Sequence, residues 1–236
     1  MFSNEQLVFD FFKYSETEFN FENFFATKKN LELVSLLQSW ASASGSGIIY
    51  IWGEPSVGKT HLIHSSLKNI KSRSIYIPLK DFRDLEPDVF DNLANVGVLA
   101  LDDIGLLAGR SDFEESLFRL FNAVVSKQAR LLLSGRDHPL RQGFVLKDLI
   151  SRLNSHSVYK VCELLDHEKI TALALIASQK GMTADRTVWD YVLKRSRRDM
   201  SSLVELLKEL DEFSLMNKRS LTIPLVKSFI SLKADI

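Results

Sequence analysis

The stretch Gly53-Glu-Pro-Ser-Val-Gly58-Lys59-Thr60 limits what this chain can fold into more than any other. It satisfies Gly-x-x-x-x-Gly-Lys-[Ser/Thr] in full, follows the apolar run Gly47-Ile-Ile-Tyr-Ile-Trp52, and opens a helix pattern near Lys59. Strand, glycine-bearing loop and helix in that order turn backbone N–H groups towards phosphate oxygens. The helix N-terminus adds a dipole that favours anions. Lys59 can set its ammonium against β- and γ-phosphates, and Thr60 can offer its hydroxyl to Mg²⁺. The expected cofactors are therefore ADP or ATP with Mg²⁺, held by Gly53, Gly58, Lys59 and Thr60. A chance match in a glycine-containing loop is the alternative, and the flanking strand and helix weigh against it.

A phosphate loop of this kind sits in a parallel sheet, and the neighbouring segments supply one. Ser74–Pro78, Val96–Leu101, Ala129–Ser134 and Ser157–Val161 read as further strands, the last the weakest. They alternate with helix-period stretches such as Phe113–Val125, where Leu117, Leu120, Phe121 and Val124 share a face. Strands spaced by helices indicate βαβ units, and near-continuous apolar strands suit a sheet covered on both faces. The third strand ends in Asp102-Asp103, 42 residues beyond Thr60. A carboxylate at a strand's C-terminal end can reach a metal shell, which makes Asp102 the metal candidate with Thr60. Asp103 is placed to orient an attacking water; a solvated turn is the plainer reading of the pair.

Three regions follow: an N-terminal peptide over 1–15, an α/β nucleotide-binding domain over 16–163, and a helical domain over 164–236. In the last, helices are expected over Asp166–Lys180, stopped by Gly181, and over Ala184–Arg195 after Thr183 as N-cap. Met200–Leu215 follows, and a final helix starts near Pro224. Eight of the sixteen phenylalanines fall in residues 1–25, too many rings for so short a segment to bury alone, so they must pack on the main body or a partner.

Lys+Arg and Asp+Glu are 30 each, so overall charge gives no basis for nucleic-acid binding. No apolar run approaches the roughly 20 residues of a membrane span, and the N-terminus lacks a signal-peptide pattern. The single Cys162 excludes an intrachain disulfide, and the five histidines form no zinc spacing. A cytoplasmic protein without membrane contact or sequence-specific DNA binding fits this pattern.

At its motifs the chain resembles the AAA+ ATPases, and within them the replication initiator DnaA. Phe21-Glu-Asn-Phe24-Phe25 resembles the segment bordering the adenine pocket, which implies nucleotide contacts from Phe24 and Phe25. Ile51–Leu62 resembles the Walker A helix and Leu101-Asp-Asp-Ile-Gly-Leu106 the Walker B strand. Asp148-Leu-Ile-Ser-Arg152-Leu153 resembles the segment holding an arginine finger, and Thr222–Lys227 the end of the helical lid. The resemblance implies an AAA+ P-loop fold with a five-stranded parallel sheet and a small all-α lid. It also implies that Arg152 faces a neighbour's nucleotide as a catalytic group.

The chain departs from DnaA in ways that shape the expectation. It stops after the lid, so the DNA-binding domain of DnaA is not expected. Gln6-Leu7-Val8-Phe9-Asp10-Phe11 looks like the peptide that docks on the bacterial sliding clamp, the beta subunit of DNA polymerase III. Gln6 would bond at a pocket rim while Leu7, Phe9 and Phe11 fill apolar clefts; an edge strand on the chain's own core is the alternative. This combination is similar to the family of DnaA-related regulatory inactivators, which implies clamp and DnaA as partners, leaves room for a homodimer, and points to inhibition of replication initiation. A free-standing AAA+ ATPase such as a helicase loader is the competing reading. The sensor 1 slot, an acid in DnaA-like chains, is Arg136 here, and the sensor 2 slot is Ser201, with Arg198 three residues earlier as a substitute. Nucleotide binding is thus expected, with a weak intrinsic ATPase at most.

Overall fold

The computed structural model describes residues 19–43, 45–70, 72–81, 86–91 and 93–234. Five parallel strands form one sheet: β1 (Gly47–Trp52), β2 (Ser74–Pro78), β3 (Val98–Asp102), β4 (Arg130–Gly135) and β5 (Ser157–Lys160), in the order β2-β3-β4-β1-β5. The crossovers carry α2 (Lys59–Lys68), α3 (Ser111–Ser126) and α4 (Lys147–Asn154), and α1 (Leu31–Ser42) precedes β1.

The sheet is covered on both sides because its central strands carry apolar residues on both faces. Alternation sends Ile48 and Tyr50 of β1, Leu99 and Leu101 of β3, and Leu131 and Leu133 of β4 to one side. There they meet Phe113, Leu117, Leu120, Phe121 and Val124 of α3, and Leu149 and Leu153 of α4. The intervening residues Ile49, Ile51, Val98, Ala100 and Leu132 face Leu33, Val34, Leu37 and Trp40 of α1 and Leu62 and Ile63 of α2. Burying each such Leu or Ile contributes about 1.5–3 kcal/mol, so the two layers hold the strand ends firmly in register. β5, at the sheet edge, is only partly buried, in line with its weak sequence signal.

The helical region packs its own core. It comprises α5 (Asp166–Gln179), α6 (Arg186–Arg195), α7 (Met200–Asn217) and α8 (Ile223–Ala234). Leu173, Trp189, Leu203, Leu207, Leu210 and Val226 meet at its centre. Gly181 ends α5 as expected: at φ +76° it takes the left-handed turn and Met182 N–H reaches back to the Ala177 carbonyl at 2.9 Å. The α6 start differs from expectation, beginning at Arg186 with Asp185 rather than Thr183 at the N-cap. Between sheet and helices, Asn30 clamps the connection: its side chain donates to the Cys162 carbonyl at 3.0 Å and accepts from the Cys162 N–H at 2.9 Å. Among the described residues no helix is long and apolar enough to cross a membrane.

Candidate functional site

The C-terminal ends of β1, β3 and β4 converge on the Gly53–Thr60 loop. Gly53 leaves β1 with its N–H on the Gly135 carbonyl at 3.3 Å, and a side chain there would collide with the Val161 carbonyl, 2.6 Å from an added Cβ. Gly58 caps α2 at φ +98°, and a Cβ on it would lie 2.7 Å from Cε2 of Phe24. Glycine is therefore required at both positions, and the loop keeps its backbone bare, as a phosphate cradle needs. Ser56 also takes a left-handed φ of 64° within the loop.

Lys59 is buried and turns its Nζ to the loop itself, donating to the Gly53 carbonyl at 2.7 Å and the Glu54 carbonyl at 2.9 Å. Burial pushes its ammonium below the ordinary lysine range; Asp103, Asp102 and Glu54 pull it back up while Arg136 pushes it further down. Thr60 donates its hydroxyl to Oδ2 of Asp102 at 2.6 Å, so the two residues singled out for a metal meet directly. Asp102 is almost fully buried and receives two further hydroxyls, Tyr76 on Oδ2 at 3.0 Å and Ser134 on Oδ1. Asp103 adopts a left-handed conformation, φ 62°, and donates its N–H to Oγ of Ser134 at 2.8 Å. Burial raises its carboxyl above the usual range, Asp102 raises it further, and Lys59, Arg136 and Lys80 act against both.

This donor set fits a nucleotide with Mg²⁺. A hydroxyl and one carboxylate suit an ion that retains waters and takes phosphate oxygens, rather than a cage of protein ligands. No cluster of three His, Cys, Asp or Glu side chains able to hold a metal occurs among the described residues. Phe24 packs on Gly58 and stands 5.5 Å from the His61 ring, centroid to centroid; Phe25 is half-buried beside it.

Other sequence candidates lie apart from this cluster. α7 begins at Met200, so Arg198 precedes the helix instead of sharing a face with Ser201, and its guanidinium pairs with Asp166 at 3.1 Å. Arg152 is exposed in the last turn of α4, whose buried face is formed by Leu149 and Leu153. Among the described residues no ion pair takes its guanidinium, including any with Asp148. Gln6, Leu7, Phe9 and Phe11 lie outside the described residues.

Sequence reasoning missed the supports. Tyr76 and Ser134 reach Asp102 from β2 and β4, the strands flanking β3, so only the sheet order could have revealed them. Gln142 is a third: its Oε1 lies 2.9 Å from the Tyr50 hydroxyl and accepts the Asp137 N–H at 2.8 Å. It packs so tightly that a Cβ on Gly105 would fall 1.8 Å from its amide nitrogen.

A family model described as the bacterial DnaA ATPase domain matches residues 15–160, and one described as the lid domain of Hda matches residues 166–230. Among solved structures, domain III of the Thermotoga maritima replication initiation protein DnaA is 18% identical with a TM-score of 0.75, over 88% of this chain and 93% of that one. AMPPCP-bound DnaA from Aquifex aeolicus is 21% identical with a TM-score of 0.67, over 80% of this chain and 65% of that one. The Thermotoga maritima RuvB Holliday junction branch migration motor is 16% identical with a TM-score of 0.69, over 90% of this chain and 71% of that one. At these identities the likeness is one of fold.

Proposed function

The chain belongs to the bacterial DnaA ATPase family, with an AAA+ fold and an Hda-type lid, and from that premise we propose that it is a nucleotide-holding regulator that stimulates hydrolysis of DnaA-bound ATP. The observation that carries this reading is Arg152: an exposed guanidinium at a helix end, with no ion-pair partner among the described residues. α4 runs into the N-terminal end of β5, whereas the phosphate loop follows the C-terminal end of β1, which pairs Trp52 with Lys160 at the far end of β5. A finger placed so has its own site at the other end of the sheet and is available to a neighbour's.

In this reading the loop amides and Lys59 hold ADP or ATP, and Thr60 and Asp102 hold Mg²⁺. The metal, when bound, neutralises charge on the phosphate oxygens. Tyr76 and Ser134 fix the Asp102 carboxylate so that Thr60 and Asp102 face the same point. Asp103 is the group to orient water, and Phe24 and Phe25 border the base. Gln6, Leu7, Phe9 and Phe11 tether the protein to the sliding clamp, which confines stimulation to replicated DNA. The division into peptide 1–15, nucleotide domain 16–163 and lid 164–236 follows the same logic.

Arg152→Ala tests it. Nucleotide binding and thermal stability should persist, while stimulation of DnaA-bound ATP hydrolysis in the presence of clamp loaded on DNA should be lost. Fingers supplied in trans raise phosphoryl transfer by about 10³–10⁵-fold in other NTPases. Arg152→Lys should rescue poorly, since an ammonium lacks the planar fork. Full stimulation by the Ala variant would remove Arg152 from the mechanism.

A further inference from the structure

We propose that the helical lid carries a contact for the phosphodiester backbone of duplex DNA, built by Arg195 and Lys227 around Tyr191; its use rests on the clamp tether of the reading above. The three residues come from two helices. In α6, Tyr191 and Arg195 are one turn apart, and the guanidinium stands 5.7 Å from the centroid of the ring. Lys227 belongs to α8 and brings Nζ to 5.8 Å from the same centroid. One ring therefore holds two cations from separate elements. Lys194 and Arg197, both exposed, flank Arg195 along the chain. From Arg186 to Arg198 the chain carries five cations and one acid, the half-buried Asp190. Among the described residues no ion pair takes Lys194, Arg195, Arg197 or Lys227. Cations in the last turn of α6 complement the helix dipole, which accounts for Lys194 and Arg195. It does not account for Lys227, which sits in the N-terminal half of α8, away from the end that favours a cation.

The make-up of the patch points to its partner. α6 exposes no large apolar side chain among the described residues, and Tyr191 is half-buried with cations at its ring. Protein interfaces centre on aromatic or apolar anchors, and adsorption to a membrane surface needs apolar side chains that enter it. A phosphate backbone asks for neither. Lys and Arg bind it by displacing counterions, and such contacts position a protein without reading sequence. The balance of 30 basic and 30 acidic residues in the whole chain keeps the contact weak. Non-specific binding has a Kd of about 10⁻⁴–10⁻⁶ M, and at the weak end of that range a chain free in solution leaves DNA bare. Tethering to a clamp that encloses the duplex changes the arithmetic. At an effective concentration of about 1 mM, a contact with a Kd of about 10⁻⁴ M is roughly nine-tenths filled. The peptide holds the chain on the clamp, and the lid contact turns it against the duplex.

The test titrates the full chain into short labelled duplexes of two unrelated sequences and follows anisotropy from about 50 to 200 mM salt. The wild-type chain should bind both alike, with log K falling as log salt rises. Arg195→Gln with Lys227→Gln should reduce that slope by about 2, since each phosphate contact contributes about 0.9. Lys28→Gln with Lys29→Gln, two exposed cations before α1, should leave it unchanged. In the lid variant, Tm and capture by clamp without DNA should not move, while retention on clamp loaded on DNA should fall. No duplex binding at low salt, a slope that the lid variant leaves intact, or an equal drop from the Lys28 and Lys29 pair would overturn the inference. So would a lid variant that loses binding to vesicles rich in anionic lipid but keeps its grip on duplex. A chain that binds duplex through the lid yet is not captured by clamp would overturn the tether reading alone and uphold the DNA contact.

Discussion

Replacing Glu114 should unseat the helix that carries Arg152. The Glu114 side chain is fully buried in α3 and accepts three backbone N–H groups. Oε1 takes Gly109 at 2.7 Å, and Oε2 takes Val145 at 2.8 Å and Leu146 at 2.7 Å. Leu146 is the N-cap residue of α4, so one carboxylate ties the turn after β3 to the first residue of the helix bearing Arg152. Glu114→Gln can keep one oxygen towards Val145 and Leu146, but then its amide N–H faces the Gly109 N–H. Each hydrogen bond to a charged acceptor contributes about 1.5–3 kcal/mol, and a buried donor left without a partner costs about 1–3 kcal/mol. The lost bond and the orphaned donor together give about 2.5–6 kcal/mol, a fall of about 5–24 °C in Tm for a chain of this size.

Glu115→Gln, exposed one residue away, should stay within about 0.5 kcal/mol of wild type. Two readouts are needed: thermal unfolding, and stimulation of DnaA-bound ATP hydrolysis at a temperature where the variant is folded. The Gln variant should lower both, because α4 loses its anchored start before the core loses its packing. An unchanged midpoint for Glu114→Gln would refute the reasoning, since three buried bonds to one carboxylate cannot be altered without cost.

Acid should destabilise the nucleotide domain through two histidines. Burial holds His61 below its ordinary range against the bond to the Asn20 carbonyl, and burial likewise lowers His64, with Asp102 opposing and His61 and Lys80 reinforcing. Both fold neutral, so the unfolded chain binds protons first as pH falls through about 6.5, and stability present above that value is lost below it. Tm should drop between pH 7.5 and 5.5, and His61→Gln with His64→Gln should flatten the slope; a flat wild-type profile counts against it. The clamp tether is tested by Leu7→Ala with Phe11→Ala, which should abolish capture by purified sliding clamp and leave Tm unchanged. A large drop in Tm instead would mean the peptide belongs to the chain's own core.

What was legible in the sequence is what local rules determine. The loop from Gly53 to Thr60 and the two aspartates are contiguous motifs, and the fold brings Thr60 and Asp102 within 2.6 Å of each other. Strand ends were less legible, because tight turns consume residues that look like strand. Val96 falls in a 3-10 turn and Gly97 turns at φ +86°, so β3 starts at Val98. Gln128 is left-handed at φ 52°, and β4 starts at Arg130, whose N–H bonds to the Gly97 carbonyl at 2.8 Å. Tyr76, Ser134 and Glu114 left no signal of their own. Each is a common residue in a common setting, and its partner lies on another element, so only the parallel register or a helix–loop contact reveals it.

The lid also brings to the phosphate loop a carboxylate that no motif announces. Asp199 is the N-cap of α7: its side chain accepts the Ser202 N–H at 2.9 Å, and that bond, with help from the nearby Ser202 and Ser56 hydroxyls, holds the carboxyl below its usual range. Ser56 is the phosphate-loop residue with φ 64°, a conformation that costs a non-glycine residue of order 1–3 kcal/mol and persists where the surroundings fix it. Asp199 stands near this residue, so the strained part of the loop and the first turn of α7 are neighbours. The other end of the connection is held by Asn30 on Cys162 and by Lys169 on Glu163 at 2.7 Å. A rearrangement of the loop at Ser56 would alter the surroundings of the α7 cap, while the strand end beneath is held by Asn30. Arg198, one residue before this cap and paired with Asp166, would move with it. The helical domain thus comes closest to the strained loop residue at the Asp199 cap, while position 201 carries Ser.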